Sequence, residues 1–260
     1  MRGIDISSHQ EGLIPSTLDI DFCIVKGTEG VGYTNPYCDP AVQDCIANGI
    51  LWGFYHFARE NEPEAEAEYF YNMCKGYFGH GVPVLDYEVE NYNNREWCER
   101  FLNKLHDLSG IWAMLYISAS RTPQYDGSWI PQNCGLWLAG YPYDATRWAA
   151  DDDCPYSPWP WGFIAIWQFT SSLRLNGWNE PLDGNIAYMD REAWGKYAGN
   201  SNSKVQEPTA PTNDKTCKEL AKEVVQGKWG NGWNRKQALD AAYGKGTYDH
   251  VQDIVNRGDY

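Results

Sequence analysis

Short apolar runs recur through the first three quarters of the chain, separated by polar segments of two different characters. Runs at 3–7, 21–26, 51–57, 82–88, 113–118, 136–140 and 163–169 read as strands, and 182–188 as a short eighth. Residues 35–48 have helical spacing and close at Gly49, a C-cap glycine. Pro63 opens a second helix, and Glu64, Glu66 and Glu68 behind it read as a solvated, dipole-favoured first turn. Residues 95–108 form a third helix. The early half therefore alternates strand and helix. The late half has strands with little helix between them, and 141–161 is a long loop rich in Pro, Asp and aromatic residues. The pattern predicts an α/β chain: an irregular, TIM-like β/α barrel that departs from regularity after its fifth strand.

Beyond the barrel the character changes. Residues 200–214 are polar, carry Pro208 and Pro211 and show no apolar period, which reads as a linker. It separates a domain at 1–199 from a small all-α module at 215–260. Leu220, Val224 and Val225 mark a first helix ended by Gly227, residues 235–242 a second, and Tyr248, Val251, Ile254 and Val255 a third. Three helices in about 45 residues make a thin core near the lower limit for independent folding.

Charge narrows the choice of partners. The net charge is −14; residues from Lys215 onward hold eight Lys+Arg against six Asp+Glu, so the acidity lies in the first domain. No basic patch suits nucleic acid. No apolar stretch is long enough for membrane insertion, and an acidic body argues against an anionic lipid surface. Residues 1–6 enter a strand pattern without a basic region and apolar core, so no signal peptide is read and synthesis in a bacterial host cytoplasm is expected. Eight cysteines include no Cys-x-x-Cys pair and are read as reduced thiols. Thirteen Trp and eighteen Tyr are many; most fill the core, but aromatic faces also stack on sugar rings.

The chemistry centres on the run from Pro83 to Glu88. In a strand, Asp86 and Glu88 face the same side, roughly 7 Å apart along the backbone. Like charges that close resist joint ionisation, and a protonated acid beside an ionised one is what glycosidic cleavage requires. Glu90 continues the alternation and leaves open which pair matters. Asp5 lies between Ile4 and Ile6 and so points into the barrel if the isoleucines face the helices. Barrels of this class place chemistry at the C-terminal ends of their strands. Tyr55, Tyr116, Trp137 and Gln168 are assigned to the same mouth as substrate-binding residues. His9 and His56 read as structural hydrogen-bonders.

Several segments, in order, carry a resemblance. Gly3-Ile4-Asp5-Ile6-Ser7-Ser8-His9-Gln10, Gly53-Phe54-Tyr55-His56-Phe57-Ala58, Leu85-Asp86-Tyr87-Glu88, Leu136-Trp137-Leu138-Ala139-Gly140-Tyr141, Trp167-Gln168-Phe169 and Leu182-Asp183-Gly184-Asn185 together resemble glycoside hydrolase family 25, the Chalaropsis-type lysozymes found in phage endolysins. The resemblance covers about residues 1–197. It implies an N-acetylmuramidase that cleaves the β-1,4 bond between N-acetylmuramic acid and N-acetylglucosamine in bacterial peptidoglycan and acts on the wall after release. It implies Glu88 as general acid, Asp86 as the carboxylate that orients the acetamido group, and Asp5 and Asp183 as further groove acids; no cofactor or metal is expected. Read alone, the Asp183-Gly184 pair is an ordinary turn.

A second resemblance, from Ala221 to Gly232 and from Tyr248 to Asn256, is to the cell-wall-binding repeat of some pneumococcal phage lysins, here in one copy. Trp229 for stacking and Asn231 and Arg235 for polar contacts are taken as the module's binding residues, the alternative for Trp229 being an anchor of the small core. The alternatives are a non-catalytic cell-wall carbohydrate-binding protein and a hydrolase holding a hard cation on Asp5, Asp86, Glu88 and Asp183. Retained Glu88 weighs against the first, and activity in excess chelator would remove the second. Whether the reaction retains, inverts or uses the substrate's own acetamido group is open.

Overall fold

A computed structural model describes residues 1–59, 61–89, 94–150, 153–199, 216–226, 228, 229, 235, 239, 243, 247–258 and 260. The chain forms two compact units, Met1–Ser203 and Lys204–Tyr260.

The first unit is a closed barrel. Its strands are β1 (Arg2–Ile6), β2 (Phe22–Glu29), β4 (Leu51–Phe57), β5 (Val82–Asp86), β6 (Met114–Ser118), β7 (Leu136–Ala139), β8 (Ile166–Leu173) and β9 (Leu182–Ala187); β3 (Tyr33–Thr34) is a short hairpin partner of β2. Pairing runs β1-β9-β8-β7-β6-β5-β4-β2, and β1 with β2 closes the ring. The pairs from β1–β2 round to β7–β8 are parallel, whereas β9 is antiparallel to both β8 and β1. Helices α1 (Cys38–Ala47), α2 (Pro63–Cys74), α3 (Asn94–Ser109) and the single turn α4 (Ile130–Asn133) follow β2, β4, β5 and β6. The barrel is thus irregular from its sixth strand onward, as the late loss of helical periodicity predicts. Strand β2 runs on through Gly27 and Thr28 to Glu29, past the expected end at Lys26, with a register shift between Lys26 and Thr28. Gly49, at φ +67°, does close the helix that precedes β4.

Period-two alternation sorts the side chains into two layers. Ile4, Ile6, Cys23, Val25, Leu85, Leu115, Ile117 and Leu138 pack outward beneath the helices. Phe22, Ile24, Val82, Val84, Met114, Ile166 and Ala187 fill the barrel, whose base is plugged by Trp194 of α5 (Arg191–Tyr197) against Phe22, ring centroids 4.9 Å apart. Six of the eight cysteines are buried, and all eight are free thiols. Burial raises the thiol pKa of Cys23 and lifts that of Cys38 to about 12, so neither is a reactive thiolate.

One reading of α2 needs correction. Pro63, Glu66, Ala67, Phe70 and Cys74 form its buried face, so Glu66 is not solvated. Its carboxylate accepts from Nε2 of buried His56 at 2.8 Å, from the amides of Arg59 and Asn61 at 2.9 and 3.1 Å, and from Nδ2 of Asn61 at 2.8 Å. Burial lowers the pKa of His56, which is therefore neutral; with its proton on Nε2, Nδ1 accepts from Thr28 Oγ1 at 2.8 Å. Glu64 behaves as the sequence suggests, in a surface pair with Arg100.

In the second unit, α6 (Cys217–Val225) starts with a Thr216–Glu219 capping box, and α7 (Thr247–Arg257) packs with it around Leu220, Ala221, Val224, Leu239 and Val251. Arg235, Leu239 and Tyr243 are helical. The expected linker at 200–214, Gly227, Asn231 and most of the expected middle helix lie outside the described residues, as does Glu90 in the first unit. Among the described residues no helix is long and apolar enough to cross a membrane.

Candidate active site

Four carboxyl groups converge at the mouth of the barrel where the parallel strands end. Asp5 comes from β1 and Asp86 is the last residue of β5; both point inward and are buried. Glu88 lies two residues past the end of β5 and is exposed. The two acids thus share a direction but not an environment, because the strand ends between them. Asp183 arrives from β9. Because β9 runs against its neighbours, its beginning lies at the rim where β1 ends, and Asp183 is the direct partner of Asp5 in the β1–β9 ladder.

Asp5 is the best held of the four. Its Oδ2 accepts from Gln168 Nε2 at 2.8 Å and from Asn185 Nδ2 at 2.7 Å. Tyr116 donates to Gln168 Oε1 at 2.8 Å, Tyr141 donates to the same oxygen, and Trp137 Nε1 donates to Asn185 Oδ1 at 2.8 Å. Each amide is thereby fixed with its NH2 toward Asp5. Asp86 is held differently: its Oδ1 is buried and finds no hydrogen-bond partner among the described residues. A buried polar atom without a partner is costly and calls for an explanation, such as a ligand that completes it.

The four carboxyl groups feel one another's charge. Burial, and then the charge of Asp183, raises Asp5 well above the usual carboxylate range, against the pull of Asn185 and Gln168. Burial and then Glu88 raise Asp86, with Lys26 opposing. Asp183 is pushed up to about 6 by burial and by Glu88, with His9 opposing. Each ionised member thus makes it harder for its neighbours to ionise. Among the described residues no three of His, Cys, Asp and Glu are placed to hold a metal ion together.

The raised Asp183 makes a testable claim. Its folded pKa of about 6 exceeds the ordinary 3.8, so the folded state holds this proton more tightly. The stability it contributes is complete below about pH 4 and is lost as pH rises through about 6, roughly 3 kcal/mol in all. Asp183→Asn is expected to melt with the wild type at about pH 4 and several degrees above it at about pH 7. Equal melting temperatures at both pH values would show that Asp183 is not buried against its neighbours.

The sequence-assigned aromatic and amide residues are all present, at different depths. Tyr55 and Tyr116 are buried on β4 and β6 beneath the mouth, within the field of Asp86 and Asp5. Gln168 touches Asp5. Trp137 is 2% exposed and packs against Tyr116 at 4.7 Å, so it lies under the groove, where it fixes Asn185 instead of offering a ring face. An open cleft of about 460 Å³ beside this cluster is lined by Phe57, Arg59, Glu88 and Val89. Sequence reasoning missed Asn185 and Tyr141. Both stand inside resemblance-bearing segments, and the position of Tyr141 two residues past β7 was the available signal. In the second unit Trp229 is partly buried, its ring 5.8 Å from Tyr243 and its Nε1 on Glu223. Arg235 bonds Gln252.

The chain is similar to known proteins over most of its length. The model described as glycosyl hydrolases family 25 matches residues 4–178, and that of the CW_7 repeat matches 218–258. An N,O-diacetylmuramidase of Chalaropsis sp is 28% identical over 217 residues, covering 75% of this chain and 100% of the relative. A lysozyme of Streptococcus phage Cp-7 is 32% identical over 279 residues, covering 97% of this chain and 68% of the relative. Among solved structures, a bacterial lysozyme from Streptomyces coelicolor shares the fold, with a TM-score of 0.65, 23% identity, and coverage of 77% of this chain and 97% of that one.

Proposed function

The chain belongs to the glycosyl hydrolases of family 25, and from that premise we propose that it is a phage-type endolysin whose barrel hydrolyses the β-1,4 bond between N-acetylmuramic acid and N-acetylglucosamine in peptidoglycan. The observation that carries this reading is the convergence of four carboxyl groups on one groove, with Glu88 the exposed member.

Cleavage of a glycosidic bond needs a proton on the leaving oxygen and stabilisation of positive charge at the anomeric carbon. Glu88 faces the cleft and is the group a sugar reaches; it supplies the proton. Asp86 sits one step deeper with its free Oδ1, where it receives the N–H of a substrate acetamido group and turns that group toward the anomeric carbon. Asp5 and Asp183 are the further groove acids, and Asp183, ionised above about pH 6, favours an oxocarbenium-like transition state over the neutral ground state. Asn185, Gln168, Tyr116 and Tyr141 hold Asp5 in position. Only interactions that strengthen at the transition state accelerate the reaction, and a preformed network of this kind needs no reorganisation when charge develops.

Residues 215–260 form the wall-binding module that keeps the barrel on its polymeric substrate, in support of which stands the repeat match at 218–258. The enzyme is made in a bacterial host and acts on the cell wall after release, a reading that the likeness to a phage lysozyme supports.

Digestion of purified peptidoglycan followed by mass analysis tests the reading. Fragments with N-acetylmuramic acid at the reducing end are expected. Reducing N-acetylglucosamine would assign the cleavage to the other glycosidic bond, and no release would leave a binding protein.

A further inference from the structure

The cleft beside Glu88 has a cationic wall, although the domain is strongly acidic. Arg59 is the cation among the residues that line it. Its guanidinium lies over the Phe57 ring, 5.0 Å from the centroid, and Nε donates to Glu29 Oε1 at 2.7 Å. Glu29 also takes the ammonium of Lys26, which itself stands 4.5 Å from the centroid of the same Phe57 ring. Two cations therefore share one carboxylate. The backbone of Arg59 is pinned as well, since its amide donates to buried Glu66 at 2.9 Å. The side chain remains 56% exposed. A guanidinium held at both its backbone and its Nε edge loses little freedom on binding, so its open edge is preorganised for an anion.

We propose that Arg59 is a specificity residue that receives a carboxylate of the peptide stem carried by the N-acetylmuramic acid bound next to Glu88. The proposal rests on the muramidase reading above. In a peptide-bearing strand the lactyl carboxyl of N-acetylmuramic acid is consumed in the amide bond to the stem, so the carboxylates that remain are those of the stem itself. A peptide-bearing strand brings carboxylates toward a groove lined with Asp5, Asp86, Glu88 and Asp183, where repulsion opposes it. A cation on the cleft wall, stacked over the Phe57 ring, offsets that repulsion where the stem leaves the sugar. Arg59 thus selects the substrate without taking part in proton transfer.

The test uses soluble glycan strands with uncross-linked peptide stems, either native or with every carboxylate converted to a primary amide by carbodiimide and ammonia. The wild type is expected to prefer the native strand by about three- to tenfold in kcat/KM, carried by KM. Arg59→Gln is expected to bring that ratio to about one, and Arg59→Lys to keep part of it. The ratio is insensitive to partial loss of folded enzyme, which scales both substrates alike. A ratio unchanged in Arg59→Gln, or a wild type that cleaves both strands equally, would overturn the proposal. A wild type that cleaves neither would instead overturn the muramidase reading, and this proposal with it.

Discussion

Glu88→Gln is expected to lose release of reducing ends from peptidoglycan by about 10²–10⁴-fold while melting at or slightly above the wild-type temperature. The substitution keeps size and hydrogen-bonding shape and removes the proton. Among the described residues no group of the protein bonds to the Glu88 carboxylate, so its loss leaves no donor stranded. It also removes a charge that raises both Asp86 and Asp183, which relieves repulsion in the folded state. A structural role predicts the opposite pairing, with lowered stability and proportionately lowered activity. Full activity in a well-folded variant would remove Glu88 from the mechanism and leave the buried Asp86 as the acid to test. The measurement is a reducing-sugar assay beside a thermal melt.

Glu66→Ala carries the largest expected cost to stability, about 3–5 kcal/mol, or a fall in Tm on the order of 10 °C. Four donors converge on this carboxylate: His56 Nε2, the amides of Arg59 and Asn61, and the Asn61 side chain. Truncation strands the buried His56 Nε2 and leaves the part-buried donors of Arg59 and Asn61 without their acceptor. His56 loses the partner that fixes its tautomer, and Thr28 with it. Glu64→Ala, two residues away on the same helix, is expected to change stability by no more than about 1 kcal/mol, because its pair with Arg100 is solvent-exposed. Equal melting of the two variants would refute the buried clamp. The clamp also bears on the groove, since Glu66 holds the backbone of Arg59.

The two variants mark different depths of legibility. Glu88 was readable because strand alternation is local: Asp86 and Glu88 fall at i and i+2 of an apolar run, and a short run ends where its pattern ends. Glu66 was misread because acids behind Pro63 fit a helix start equally well. The buried stripe of Pro63, Glu66, Ala67, Phe70 and Cys74 has an apolar period with one charged member. Only the position of His56 on the neighbouring strand explains why that member is tolerated inside.

By itself the sequence determined the eight strand segments, the loss of helices in the late half, the inward face of Asp5 and the pair Asp86 and Glu88. All of these follow from periodicities of 2 and 3.6 residues, which act between near neighbours. Ring closure, the reversed direction of β9 and the network around Asp5 were decided by the tertiary structure. Asp183 and Asn185 sit in a segment that reads as a turn. They become a groove acid and a clamp because antiparallel pairing sets Asp183 opposite Asp5 and lets Asn185 reach its carboxylate. Contacts across 178 residues of chain have no local signature, and the direction in which a closing strand enters the barrel is settled by which backbone edges remain to be paired.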